Sequence, residues 1–296
     1  MNDNPGAFLD LPPEAADPAA ARVHVLPLPY EATVSYGGGA AEGPAALVDA
    51  SAQVELYDRD FDEEPALRYG VHTHPPPDLA GLTPEAAVER IASRVAEIAR
   101  PGRFLLPLGG EHTVSVGVFS GLAQAWGETF DVVHLDAHAD LRDTYRDEPF
   151  SHACALRRIA GHPACGKIWQ LGIRSVCPEE VGFIRGRPER VRTWFAEDMA
   201  DGAWREELRA GLAGKQVFVT FDVDVLDPSV VPGTGTPEPD GLAWRQVLSV
   251  ADVLAGSGCG VVAMDCVEVA PAPGLHYSEF GVAKLLYGML NRLIRQ

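Results

Sequence analysis

The stretch DVVHLDAHAD, residues 131–140, decides the fold. Its first half is a short apolar, β-branched run; its second half alternates alanine with acidic and imidazole side chains. An apolar run without a polar alternate face suits a strand covered on both sides, as in a parallel sheet. Such a sheet places its binding groups just beyond the carboxyl ends of its strands. Working outward, three further stretches repeat the pattern. FLLPL runs into Gly109-Gly110-Glu111-His112, VFVTF into Asp222-Val223-Asp224, and VVAM into Asp265-Cys266-Val267-Glu268.

Strands are expected over residues 23–28, 103–108, 131–135, 167–171, 216–221 and 260–264. Helical patterns lie between them. One opens at Thr83-Pro84-Glu85, a capping residue followed by proline at the first helical position, and stops at Pro101-Gly102. Others run over about 43–56, 114–126, 152–160, 204–212, 244–255 and 278–295. This alternation predicts a three-layer α/β/α fold around a mostly parallel sheet. With no internal repeat or composition break beyond it, residues 21–296 read as a single domain. Residues 1–20, rich in Pro, Asp and Ala, read as a flexible, loosely ordered leader.

The 296 residues include 24 Lys+Arg against 42 Asp+Glu, a formal net charge of −18, with 46% hydrophobic residues. The apolar share excludes wholesale disorder. So acidic a chain is a poor partner for nucleic acid, which needs clustered Lys and Arg, but it permits a cationic substrate. No run approaches the roughly 18–20 apolar residues of a membrane-spanning helix, and the first residues lack the basic and apolar regions of a signal peptide. The cysteines number five, with no C-x-x-C pair. This speaks against a disulfide framework and a thiolate zinc site, and for free thiols in a reducing cytoplasm.

In Asp136-x-His138-x-Asp140 the side chains at i, i+2 and i+4 of an extended segment project to one side, and Asp222-x-Asp224 repeats the arrangement. Carboxylates are hard donors and imidazole is borderline. A mixed set without Cys suits Mn²⁺ and, less selectively, Co²⁺, Ni²⁺, Fe²⁺ or Zn²⁺. Four aspartates would balance the charge of two divalent ions. Each motif taken alone also has a plain structural reading. The aspartates of 136–140 could cap a solvated turn, Gly109-Gly110 could be a tight turn, and Asp227-Pro228 reads as a turn opener. His134, inside an apolar strand, reads as a satisfied core histidine. His72, His74, His162 and His276 gain no role from their spacing. Polar motifs at four strand ends together argue for a site.

GGEHT, DAHAD, TFDVDVLDPSVVPGTGTP and MDCVEVAP resemble the signatures of the ureohydrolase family, which includes arginase, agmatinase and formiminoglutamase. The resemblance runs from about Tyr30 to the carboxyl terminus. LRDTYRDEPFSHACALRR is more similar to agmatinases, and the Ser/Asn-rich loop of arginases has no counterpart. The resemblance implies an arginase-like fold and two Mn²⁺ ions per chain. His112, Asp136, Asp140 and Asp222 would hold one ion; Asp136, His138, Asp222 and Asp224 the other, with Asp136 and Asp222 bridging. It further implies Asp140 as proton acceptor, His152 as proton shuttle and Glu268 as partner of a substrate guanidinium.

The implied activity is hydrolysis of agmatine to putrescine and urea, a step of polyamine biosynthesis. N1-aminopropylagmatine is the nearest alternative, with guanidine, guanidinobutyrate and arginine below it. A small cationic guanidino substrate and homotrimers or hexamers are implied as well. Two departures bear on substrate subtype and subunit contacts. Glu111 stands where the family often has Asp, and Ala41 where the pattern G-x-R-x-G-P has Arg. Outer-pocket residues are expected in loops 142–150 and 271–277, with Tyr145 and Arg146 open between pocket and solvent. The rival classes are a single-metal deacetylase and an inactive metal-binding homologue.

Overall fold

Alternate residues along the central strands feed two different cores. Val25, Leu106, Val133, Val219 and Met264 join one apolar cluster, and their neighbours Leu26, Leu105, Val132, Phe218 and Ala263 join another. This is the period-two consequence of a sheet buried on both faces. The computed structural model describes residues 6–294; the ends of the expected leader and of the expected last helix, residues 1–5 and 295–296, lie outside them.

Eight strands form the sheet: β1 (Val23–Leu28), β2 (Val71–Thr73), β3 (Phe104–Gly109), β4 (Phe130–Leu135), β5 (Cys165–Ile173), β6 (Val191–Phe195), β7 (Gln216–Asp222) and β8 (Gly260–Val267). Their order is β2-β1-β3-β8-β7-β4-β5-β6, and each pairing is parallel. The helices are α1 (Gly43–Ser51), α2 (Pro65–Tyr69), α3 (Pro84–Ile98), α4 (Val114–Trp126), α5 (Ala155–Gly161), α6 (Pro178–Arg185), α7 (Trp204–Leu212), α8 (Trp244–Gly256) and α9 (Tyr277–Leu293). Leu47 of α1, Leu208 of α7, Val250 of α8 and Leu285 of α9 cover one face; Ile91 of α3, Phe119 of α4, Leu156 of α5 and Phe183 of α6 cover the other. The three-layer α/β/α architecture is thus the one the alternation predicts.

All six expected strands are present. The two unexpected ones, β2 and β6, are the short sheet edges, where partly exposed residues such as His72 and Arg192 interrupt the apolar pattern. The helix expected over 43–56 ends early, at Ser51. The one expected over 152–160 opens as a 3₁₀ turn at His152–Cys154 before α5. Thr83 caps α3 as its position predicts, its hydroxyl accepting from Ala86 N at 3.4 Å. No helix among the described residues is long and apolar enough to cross a membrane.

The leader is corrected. Within residues 6–20, Phe8, Leu9, Leu11 and Ala15 are buried in the core shared by α1, α2, β1 and β2. Leu9 N donates to Ser51 Oγ at 2.8 Å, and Phe8 N to Thr73 Oγ1 at 2.9 Å. Burying a Phe or Leu side chain is worth about 1.5–3 kcal/mol, enough to offset the ordering of a few residues. The polar, proline-rich composition concealed these anchors. Replacing Phe8 by Ala is expected to cost about 3–5 kcal/mol of stability; denaturant unfolding measures it, and a loose leader would give no change.

Candidate metal centre

β3, β8, β7 and β4 are consecutive in the sheet, so four motifs that are distant in sequence meet along one carboxyl edge. His112 reaches that edge through Gly109-Gly110. A Cβ on Gly110 would lie 2.0 Å from Tyr30 O, so the chain can pass there only as glycine. Gly110 N donates to Leu28 O at 3.0 Å and Glu111 N to Tyr30 O at 2.9 Å, which ties the exit of β3 to that of β1.

His112 is buried, and its Nδ1 lies 3.1 Å from Asp136 Oδ2, 3.0 Å from Asp140 Oδ2 and 3.4 Å from Asp222 Oδ2. None of these contacts has hydrogen-bond geometry. Its Nε2 lies 2.9 Å from Thr220 Oγ1, whose hydroxyl is directed toward Ser115 Oγ at 3.2 Å. The ring hydrogen therefore sits on Nε2, and the Nδ1 lone pair faces three carboxylates. That arrangement is repulsive unless a cation or a proton stands between them. A second group adjoins it. His138 Nδ1 lies 2.9 Å from Asp224 Oδ2 and 3.6 Å from Asp136 Oδ1.

Backbone amides hold the carboxylates in place. His138 N donates to Asp136 Oδ1 at 2.6 Å, Ala137 N to Asp224 Oδ1 at 3.0 Å, and Asp224 N to Asp222 Oδ1 at 2.9 Å. Asp140 (φ 53°) and Glu268 (φ 64°) occupy the left-handed region, a strained backbone of the kind found where a site demands it. Glu268 is secured by His112 N, which donates to its Oε1 at 2.7 Å, and by its own N–H, which donates to Gly110 O at 2.8 Å.

The electrostatics agree with an ion-binding role. Burial, with the charges of Asp224 and Asp136, pushes the Asp222 carboxyl well above the usual range. Burial opposes charge on His112, but Asp136, Asp140 and Asp222 outweigh it and hold the ring well above its ordinary value. Without metal, then, the cluster retains protons. Divalent cations would displace them, and the hard, borderline donor set fits such ions. Burial and the negative charge of Glu111 push Glu268 up to about 8. Burial lowers His152, which leaves its ring neutral near pH 7.

A cavity of about 230 Å³ opens over these groups, with His138, Asp140, His152, Asp222, Asp224 and Glu268 in its wall. All eight expected site residues therefore meet in one region. Of loop 142–150, Arg142 and Tyr145 line the mouth, whereas Arg146 donates to Ser35 O at 3.2 Å and lines no part of it. Loop 271–277 is corrected: it lines a different cavity, with Ala46 and Gln53, because the chain turns toward α1 once β8 has delivered Glu268. His134 is satisfied, as its place in the strand suggests, but its partner is the site itself, with Nε2 2.7 Å from Asp136 Oδ2.

Of three supporting residues, Thr33 and Glu238 carried no sequence signal, and Glu111 stood out only as a departure beside His112. Thr33 Oγ1 lies 3.0 Å from His152 Nδ1 and accepts from His152 N at 3.0 Å. Glu111 Oε2 accepts from Ala32 N and Thr33 N at 3.1 and 2.7 Å, anchoring that loop. Glu238 Oε1 lies 3.7 Å from His138 Nε2. Chelator treatment is expected to lower the melting temperature, and readdition of divalent metal to restore it. Ligand at about 100 times its Kd stabilises by about 2.7 kcal/mol. Calorimetry with and without chelator measures this, and an unchanged melting temperature would count against a metal centre.

A model of the arginase family matches residues 21–290. The N(1)-aminopropylagmatine ureohydrolase of Synechocystis sp. is 37% identical over 283 residues, covering 92% of this chain and 89% of the relative. The agmatinase of Bacillus cereus is 33% identical, covering 84% of each chain. The crystal structure of the agmatine ureohydrolase of Thermoplasma volcanium superposes with a TM-score of 0.79 at 26% identity, covering 95% of this chain and 93% of that one. With a family match across nearly its whole length and a carboxylate–imidazole cluster at the sheet edge, this chain belongs to the arginase family.

Proposed function

We propose that the protein hydrolyses a guanidino C–N bond, releasing urea, with agmatine as substrate and putrescine as the other product. The observation that carries this reading is the Glu268 carboxyl in the wall of the cavity, fixed against His112 N beside four clustered aspartates. A guanidinium is resonance-stabilised and a poor electrophile, so hydrolysis needs both a strong nucleophile and close orientation. We assign His112, Asp136, Asp140 and Asp222 to one divalent ion, and Asp136, His138, Asp222 and Asp224 to a second, with Mn²⁺ as the metal that best suits the donors. When bound, such a pair supplies a hydroxide nucleophile at neutral pH by lowering the pKa of water from 15.7 toward about 7.

The chain's own residues do the rest. Burial holds the Glu268 carboxyl up to about 8, and a cation docking against it favours the ionised form, so a planar guanidinium is drawn to it. Held there, its carbon is oriented toward the aspartates, a proximity effect. Asp140 accepts the proton of the attacking group. His152, neutral and held by Thr33, takes up that proton and passes it to the departing amine. Water and agmatine thereby give urea and putrescine. A second reading, N1-aminopropylagmatine as substrate, is supported by the 37% identity to the Synechocystis enzyme. The five free thiols, four of them buried, suit a reducing cytoplasm. Assembly as a homo-oligomer and a place in polyamine biosynthesis are extensions of the same family reading.

Urea release with Mn²⁺ is the test, measured on agmatine, N1-aminopropylagmatine, guanidinobutyrate, guanidine and arginine. Agmatine is expected to be turned over best. A clear preference for arginine overturns the agmatinase reading, and no urea from any of these compounds, with acetate released from an acetylated polyamine, would favour a deacetylase. Glu268→Gln is expected to lower kcat/KM by about 10²-fold through lost orientation; unchanged activity would revive a non-catalytic role.

A further inference from the structure

Beneath the aspartates the sheet carries a second polar layer that the proposed chemistry does not use. Thr193, Gln170, His134, Thr220 and Asp265 are successive register partners across β6, β5, β4, β7 and β8, and all five are buried. The hydrogen bonds on the β6–β4 side of this row run in one consistent direction. Thr193 Oγ1 donates to Gln170 Oε1 at 2.8 Å, which fixes the orientation of the amide. Both amide hydrogens of Gln170 are then committed, one to Ala139 O at 2.8 Å and one to His134 Nδ1 at 3.0 Å. His134 Nδ1 can only accept, so the ring hydrogen sits on Nε2, 2.7 Å from Asp136 Oδ2. In the opposite tautomer an N–H would face an N–H and a lone pair would face a carboxylate, both in a dry interior.

We propose that Gln170 is a positioning residue of the metal centre. Pinned by Thr193 and Ala139, it sets the tautomer of His134 and through it the rotation of Asp136. The leverage comes from the two oxygens of that carboxylate. Oδ2, gripped by His134, is the atom 3.1 Å from His112 Nδ1, and Oδ1 faces His138 at 3.6 Å. Fixing one oxygen fixes how Asp136 addresses both groups. The inference rests on the reading of Asp136 as a metal ligand. Outer partners of metal ligands of this kind are worth about 10–100-fold in metal affinity.

Gln170→Leu removes both amide donors at similar volume. Two readouts decide the matter. Histidine ¹⁵N NMR of the metal-free chain, with the His134 signal assigned by its loss in His134→Asn, reports the tautomer. The wild type is expected to carry hydrogen on Nε2 with Nδ1 accepting a hydrogen bond, and the variant to show an Nδ1 resonance shifted toward that of a ring nitrogen without one. Equilibrium dialysis with Mn²⁺ is expected to show about 10–100-fold weaker binding by the variant. An Nδ1–H ring in the wild type overturns the proposal outright, whether or not any variant folds. A folded variant with either the Nδ1 resonance or the Mn²⁺ affinity unchanged also overturns it; Gln170→Met serves if Gln170→Leu does not fold. A wild type that binds no Mn²⁺ would instead defeat the metal-centre reading, while the tautomer measurement still stands.

Discussion

Negative charge that must be buried without losing its ionised form is the constraint on which the rest of this protein depends. Asp136, Asp140 and Asp222 are buried around an imidazole nitrogen that has no hydrogen-bond partner, and Asp224 is buried beside them against His138. Desolvating so many like charges is costly unless a cation restores the balance. The scaffold concentrates what compensation it has at this point. Main-chain amides donate to the carboxylates, parallel strands deliver their ends to one edge, and Asp140 and Glu268 accept a left-handed backbone to face the cavity. Close backbone approach at Gly110 belongs to the same economy of space, since it brings His112 within reach of aspartates on β4 and β7.

Around this floor the site divides into two parts. The clustered carboxylates and imidazoles come from strand ends and the turns directly after them, and they are backed by a second layer of polar side chains inside the sheet. His112 leans on Thr220, Asp136 on His134, and His152 on Thr33, which the Glu111 carboxylate holds through the backbone. The mouth is built differently. Arg142 and Tyr145 come from a loop, with the Arg142 guanidinium 5.1 Å from the centre of the Tyr145 ring. A floor fixed by register and a mouth formed by loops allow the tail of a substrate to be selected without disturbing the chemistry beneath it.

The chain itself determined six of the eight strands, most of the helices and the carboxylates and imidazoles of the cluster, because each is a local property. Continuous apolar runs report burial on both faces, proline and threonine mark the start of α3, and D-x-H-x-D with D-x-D states the chemistry of the cluster. It did not disclose that Phe8 and Leu9 anchor the amino-terminal arm, since polar neighbours masked a pair of apolar side chains whose pocket is built from distant elements. It misplaced loop 271–277 for a related reason: proximity to Glu268 along the chain is no guide to the direction the chain takes afterward. Tertiary structure alone decided that β3, β8, β7 and β4 stand side by side, so that His112 meets aspartates from two other strands. It alone showed that His134, which its apolar strand marks as a core histidine, grips Asp136 at the end of a row running from Thr193 through Gln170. Strand order and lateral register arise from packing between segments far apart in the chain, so they leave no trace in the spacing of residues along any one of them.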